Sequence, residues 1–502
     1  MNKVHAKRIG PILSPNHGRV IIKPYLPGEE IALSSDSRAA LLIRRILAIP
    51  ETEVSDLLAS VLSNFTSRHH GLEAILEEHF GLVCHHVCEE LSSLSRDRRL
   101  LIGAYCTNEY SVEGAALFNP SIVISPDQTG VLPGKIRVIL SVRAVGEGHI
   151  SSIEFRTALL DGETAFHFES QGSQLVTGRR TPPAHYHKDR FRAKLSELGA
   201  DDTTVAYIID PLADPFVLAD LDHALAQATT LAHLSDPADT HRIDGARVIV
   251  KTTQIARQVA ASNYVTTFPA ASALSERVMF PAGPRETRGM EDARFVRFVD
   301  DDGEVTYYAT YTAYDGFEIL PQLIETRDFL TFKISTLTGS AAKNKGMALF
   351  PRRIGGKYVM LSRKDRENLH VCYSNNVYTW EDATELDHPQ HPWELVQIGN
   401  CGSPIETAAG WLVMTHGVGP MRRYVISAIL LDRDNPAVVV GRLPYPLLEP
   451  NESERDGYVP NVVYSCGALA HGDNLILPYG ISDGAVGVSL VSLSELLAAM
   501  TA

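Results

Sequence analysis

Gly410-Trp411-Leu412-Val413-Met414-Thr415-His416 is a run of apolar, strand-forming residues that ends on a polar ring. Four other runs resemble it. They are Ile136 to Arg143, Val305 to Tyr311, Lys357 to Arg363 and Asn474 to Gly480. Each is a β-type run bounded by Gly, Pro, Asp or Asn and ending at or near a polar or aromatic residue. In chain order the runs beginning at Val305, Lys357, Gly410 and Asn474 recur at intervals of about 50 to 60 residues, the period of a propeller blade. In a propeller the equivalent strands of all blades converge on one funnel, so polar strand ends remote in sequence become neighbours. A β-sandwich with scattered polar strand ends fits the spacing equally well. The first and second runs lie much further apart. A helical-looking insertion at about 184–236, including Asp220 to Leu231, fills the gap.

Residues 1–100 have a different texture. Ala39 to Leu47, Val54 to Leu62 and Gly71 to Leu82 carry apolar residues at helical spacing, with Pro50 separating the first two. The expected organisation is a helical N-terminal region over 1–100 and a mainly β domain over 101–502.

The chain has 502 residues, 44% hydrophobic and 21% charged, which is ample for a folded core. A net charge of −14 argues against a nucleic-acid groove but leaves room for a local basic site for a small anion. Six cysteines in a chain this long do not form a disulfide framework. No apolar segment follows the charged residues Lys3 to Arg8, and no run approaches membrane-spanning length. A reducing, cytoplasmic setting is expected, with no membrane partner.

Three stretches carry chemistry-bearing residues. Gly289-Met290-Glu291-Asp292-Ala293-Arg294-Phe295 places two carboxylates and an arginine at the start of a strand. Strand alternation lets only one of Glu291 and Asp292 face a site; the other is expected to be structural, paired with Arg294. Asn344-Lys345-Gly346 and the run ending at Arg363 put bases at the two ends of a hairpin, able to clamp an anion or simply to lie on the surface. Asn400-Cys401-Gly402-Ser403-Pro404-Ile405-Glu406-Thr407 leads into the run ending at His416, whose ring either lines a cavity or braces a turn. Cys84-His85-His86-Val87-Cys88 has metal-capable spacing but reads better as a helix with buried cysteines, so no metal site is expected. His69 and His70 read as surface residues, and Glu452 to Asp456 as a solvated loop.

Taken in order, these motifs resemble glycoside hydrolase family 130. The resemblance runs from Asn119 to Asp483 and includes Phe118-Asn119-Pro120, Leu430-Leu431-Asp432, Gly457 to Val463 and Tyr479 to Asp483. It implies a five-bladed β-propeller and inverting phosphorolysis of β-mannosides. The N-terminal region and the insertion mark a longer branch. It further implies that Asp292 is the general acid, acting through the mannose 3-hydroxyl. Arg143, Lys345, Arg363 and His416 become the phosphate-binding set, and Asn119, Asp483 and Tyr311 the sugar-binding set. Lys345 stands where an arginine is expected, and Gln397 where many phosphorylases carry a lysine. The implied substrates are a β-mannoside oligosaccharide, β-1,2-linked by the family's habit, and inorganic phosphate. No cofactor is implied, and a homo-oligomer is an option. Hydrolysis of the same bonds and non-catalytic mannoside binding are the alternatives.

Overall fold

The computed structural model describes residues 3–27, 37–87, 91–161, 165–233 and 240–500. It divides into two compact units, one of Met1–Pro15, Ala115–Ser170 and Gly178–Ala502, the other of Asn16–Gly114 and Gln171–Thr177.

The larger unit is mainly β, and all five apolar runs are strands within it. They belong to five antiparallel meanders. The first comprises Ala116–Ile124, Lys135–Val145 and Ser151–Asp161. The second comprises Gly289–Val299, Val305–Tyr314, Ile319–Thr326 and Thr331–Thr336. The two meet where Gly289 pairs in parallel with Ser151. Only glycine fits there: its φ is +132°, and a Cβ would lie 2.5 Å from the Ser151 nitrogen. The third runs from Ala348–Leu349 through Tyr358–Ser362 and Leu369–Ser374 to Ala383–Asp387. The fourth runs from Gln397–Asn400 through Gly410–Val418 and Tyr424–Leu431 to Val439–Arg442. The fifth joins Val463–Tyr464, Asn474–Ile481 and Ala485–Ser492, and Lys7–Leu13 adds a strand to it.

Successive meanders share their cores. Phe155 stacks on Phe332 and meets Phe295 edge-on, linking the first to the second. Phe298 and Leu323 pack with Met360 and the fully buried Trp380, linking the second to the third. Leu361 and Val371 pack with Val413 and Ile429, and Met414 and Leu430 with Leu475 and Leu477. Ile476 and Val488 of the fifth then pack against Ile122 and Leu140 of the first. This apolar burial, at roughly 25 cal/mol per Å², is the main force holding the unit together.

The helices Lys188–Glu197, Asp202–Ile209, Leu218–His233 and Thr240–Ala261 lie between the first and second meanders in sequence. They pack around Phe191, Ile208, Phe216 and Ala256, a core of their own.

In the smaller unit, Arg38–Leu47, Glu51–Phe65, Leu72–Val83 and Arg96–Tyr105 are α-helices. Ser37 and Ser95 cap two of them, each accepting a bond from the third residue onward. Pro50 sits at the break between the first two. The buried Arg98 donates to the carbonyls of Ile46, Leu47 and Ile49, the open C-terminal end of the first helix. His69 is buried rather than on the surface, because its ring bonds Glu109 at 2.6 Å; His70 is exposed. Cys84–His86 forms a single 3-10 turn, and Cys88 lies outside the described residues. Among the described residues no group of His, Cys, Asp and Glu is placed to hold a metal ion, and no helix is long and apolar enough to cross a membrane.

Candidate active site

Strands from several meanders deliver their polar ends to one place. Asp292 lies at a β-bulge in Gly289–Val299, where the register with Val305–Tyr314 slips between Glu291 and Arg294. Its backbone is left-handed, with φ +56°. Asn119 sits at a matching irregularity in Ala116–Ile124, with φ +49°. Its Nδ2 donates to Asp292 Oδ1 at 2.8 Å. Non-glycine residues at positive φ are costly and gather where the surrounding structure imposes them, commonly at functional sites.

The bulge corrects one expectation. With two residues opposite one, strict alternation fails, and both carboxylates reach the same guanidinium. Arg143 Nη2 donates to Glu291 Oε1 at 2.7 Å and Nη1 to Asp292 Oδ1 at 3.2 Å. Glu291 is therefore not paired with Arg294. Arg294 instead donates to the Asp292 carbonyl at 2.9 Å and to the Tyr464 hydroxyl at 2.7 Å, bracing the bulge from within. Arg143 is fixed by Ser151 Oγ, which accepts from Nε at 2.9 Å, and by the Phe118 ring beneath its guanidinium.

Lys345 reaches the same cluster, its Nζ donating to Glu291 Oε2 at 2.5 Å. The next residue, Gly346, has φ +88° and backs onto Arg363, with its Cβ position 3.6 Å from the Arg363 Cβ. Arg363 Nη1 donates to His416 Nε2 at 3.0 Å. His416 is 1% exposed, and Tyr424 and Tyr464 flank its ring. Gly399 makes the close fit possible: a Cβ there would lie 2.6 Å from His416 Cε1 and 3.2 Å from Arg363 Cδ.

Burial pushes the His416 imidazole far below its usual pKa, and the neighbouring Arg363 and Arg294 push the same way. The ring is neutral. It orients Arg363 as a hydrogen-bond acceptor. Burial raises the Asp292 carboxyl, but Arg143, Arg294, Lys345 and the Asn119 bond outweigh it and hold the pKa down at about 2. Asp483 lies in a left-handed turn, with φ +50°, between Asn474–Ile481 and Ala485–Ser492. Burial, then the charge of Asp292, push its carboxyl up to about 7, against Arg143 and Arg422. The turn is anchored by Ser482 Oγ, which donates to the Glu454 carbonyl at 2.6 Å. Glu454 is itself buried, accepting from Arg8 and from the Tyr479 hydroxyl, so the Glu452–Glu454 turn is not simply solvated.

Seven of the eight expected site residues thus stand in this constellation: Asn119, Arg143, Asp292, Lys345, Arg363, His416 and Asp483. Tyr311 does not join it. On Val305–Tyr314 its neighbours Thr310 and Thr312 pair with Arg294 and Glu291, so Tyr311 faces the opposite side of the sheet. Its hydroxyl donates to the buried Glu286 at 2.5 Å, beside the Tyr264 hydroxyl. Gln397 is half-buried at the start of its strand, opposite Val418. Sequence reasoning missed the bridging role of Glu291 and the bracing roles of Ser151, Arg294 and Tyr464. Their signal was weak, because ordinary strand residues acquire these roles only through the bulge.

Two carboxylates with Arg143 and Lys345 gathered around them form a charged cluster able to hold a proton and a small anion. The family model described as beta-1,4-mannooligosaccharide phosphorylase, that of glycoside hydrolase family 130, matches residues 270–502. The 1,2-beta-oligomannan phosphorylase of Thermoanaerobacter sp. (strain X514) is 32% identical over 230 residues, 44% of this chain and 75% of the relative. The beta-1,2-mannobiose phosphorylase of Listeria innocua is 31% identical over 232 residues, 44% of this chain and 62% of the relative. The solved structure of the Listeria innocua beta-1,2-mannobiose phosphorylase, in complex with beta-1,2-mannobiose, has a TM-score of 0.46 at 21% identity, covering 78% of this chain and 93% of that chain. The chain belongs to glycoside hydrolase family 130 and is an enzyme of the glycoside phosphorylase class.

Proposed function

We propose that the protein carries out inverting phosphorolysis of terminal β-linked mannosyl units, with β-1,2-mannooligosaccharides as substrates. The observation that carries this reading is the meeting of Asp292 with Arg143 and Asn119, which are 149 and 173 residues away in sequence. A carboxylate placed to take up and pass on a proton thereby stands among the cations a phosphate dianion needs.

Phosphate lies against Arg143, Lys345 and Arg363, with neutral His416 orienting Arg363. One phosphate oxygen attacks the anomeric carbon as the glycosidic bond on the opposite face breaks. The leaving oxygen takes its proton from the mannose 3-hydroxyl, which takes the proton of Asp292. The products are α-mannose 1-phosphate and a sugar one unit shorter, and the same site runs the reverse reaction. In the free enzyme Asp292 is ionised. Phosphate draws Lys345 towards itself and brings negative charge beside Asp292, the hold of the bases on the carboxylate weakens, and the carboxyl gains the proton it donates. Asn119 and Asp483 contact the sugar. Asn119 Oδ1 and Arg363 Nε have no protein partner among the described residues and are atoms a polar ligand would satisfy. No cofactor takes part.

The five meanders are the blades of a propeller. The cyclic sequence of shared cores, with Ile476 and Val488 packed on Ile122 and Leu140, supports closure. Cys84, Cys106, Cys372, Cys401 and Cys466 are free thiols, which suits a reducing cytoplasm.

Incubation with β-1,2-, β-1,3- and β-1,4-mannobiose, each with and without phosphate, tests the reading. The expected result is mannose 1-phosphate from the β-1,2 substrate and negligible turnover without phosphate. Free mannose released at the same rate in both conditions would make the protein a β-mannosidase. Binding without turnover would make it a mannoside-binding protein.

A further inference from the structure

We propose that Glu291 is an internal anion that competes with phosphate for Arg143 and Lys345, and so sets the affinity of the site for phosphate. The inference rests on the phosphorolytic reading above.

Glu291 spends its two oxygens on two different bases. Oε1 accepts from Arg143 Nη2 at 2.7 Å and Oε2 from Lys345 Nζ at 2.5 Å. Two oxygens of a phosphate bridge two bases in the same manner. The Glu291 side chain is 9% exposed, so its charge is poorly screened by water. The geometry that permits this is the bulge, which turns Glu291 and Asp292 to one side of the strand pair.

The two bases are held unequally. Arg143 is clamped by Ser151, Phe118 and Asp292 and stays in place when its bond to Glu291 is lost. The Lys345 side chain is 35% exposed, and Glu291 is the only hydrogen-bond partner of its Nζ among the described residues. Its four-carbon stem lets the ammonium swing from carboxylate to ligand without a planar fork to realign. A dianion drawn in by Arg143 and Lys345 lies beside Glu291, and like charges so close raise the cost of its binding. Glu291 is a positioning residue: it keeps the bases aligned without phosphate and gives them up when phosphate arrives.

The test is the KM for phosphate at saturating mannoside in Glu291→Gln, which keeps the shape of the side chain and removes the charge. It is expected to fall by about fivefold, the size of one partly screened charge interaction, while the KM for mannoside moves by less than about twofold. Competitive inhibition by sulfate is expected to strengthen to the same degree. Glu291→Asp, which keeps the charge, is expected to show a phosphate KM no lower than wild type. A Glu291→Gln enzyme whose phosphate KM is unchanged or raised overturns the proposal, as does a fall of equal size in Glu291→Asp. If Glu291→Gln does not fold, Glu291→Ser carries the same expectation. A wild-type enzyme that forms no mannose 1-phosphate removes the phosphorolytic reading itself, whereas phosphorolysis with no fall in the variant's KM removes only the role of Glu291.

Discussion

Asp292 and Asp483 are the same side chain in two fields. Cations and an amide hold Asp292 ionised, while burial and the Asp292 charge itself push Asp483 towards its protonated form. Environments that push paired carboxyls apart assign them different states at one pH. The consequence for stability has opposite signs. The depressed pKa of Asp292, about 2 against an ordinary 3.8, adds stability that is full above about pH 4 and lost as pH falls towards 2. The raised pKa of Asp483, about 7 against 3.8, adds stability that is full below about pH 4 and lost as pH rises through 7. Asp483→Asn is therefore expected to gain in Tm relative to wild type as pH goes from 4 to 8. A Tm difference that stays flat across that range would contradict the field described for this carboxyl. At this scale the sequence marked Glu291 and Asp292 as important but implied that only one could face the site. Alternation is a local rule, whereas the left-handed turn at Asp292 is held by Asn119 and Arg143, which come from another meander.

Strand ends are the working parts at the next scale, and glycines set how closely they approach. Gly399→Ala places a methyl group 2.6 Å from His416 Cε1 and 3.2 Å from Arg363 Cδ. Displacing that pair is expected to raise the phosphate KM roughly tenfold or more while the protein stays folded, because small misplacements of binding groups carry large kinetic costs. A phosphate KM close to wild type would separate the Arg363–His416 pair from phosphate binding. Tyr311 makes the complementary case. Its hydroxyl serves the buried Glu286, which also accepts from the backbone nitrogens of Ala282 and Gly283 just before the Asp292 strand. Tyr311→Phe is expected to cost about 1–3 kcal/mol in stability by denaturant unfolding, the price of an unmet bond to a buried carboxylate. It leaves the mannoside KM nearly unchanged; a large rise in that KM would return Tyr311 to the sugar. All five apolar runs were legible as strands because β-branched and apolar residues bounded by turn formers have few other options. The face presented by Tyr311 was not, since register against Gly289–Val299 comes from tertiary pairing.

Over the whole molecule, an acidic chain of net charge −14 carries a compact basic site. The period of the last four runs revealed the meanders, and the long first interval revealed an insertion. The helix Thr240–Ala261 escaped notice because the exposed Val248 and Val250 blur the pattern of its buried face, which Ile255, Ala256, Val259 and Ala260 form only towards the C-terminal end. The shared cores linking one meander to the next could not be read from the runs themselves, because every run is apolar and any could pack with any other. What the fold accomplishes is convergence: Asn119, Arg143, Asp292, Lys345, Arg363, His416 and Asp483 come from all five meanders. The consequence of that convergence is what happens to a mannoside in the presence of phosphate. Phosphorus NMR of β-1,2-mannobiose incubated with phosphate and enzyme tests it most directly. The expected result is a growing signal of α-mannose 1-phosphate that is lost in Asp292→Asn. The β-anomer, mannose with no sugar phosphate, or an undiminished signal in the variant would contradict it.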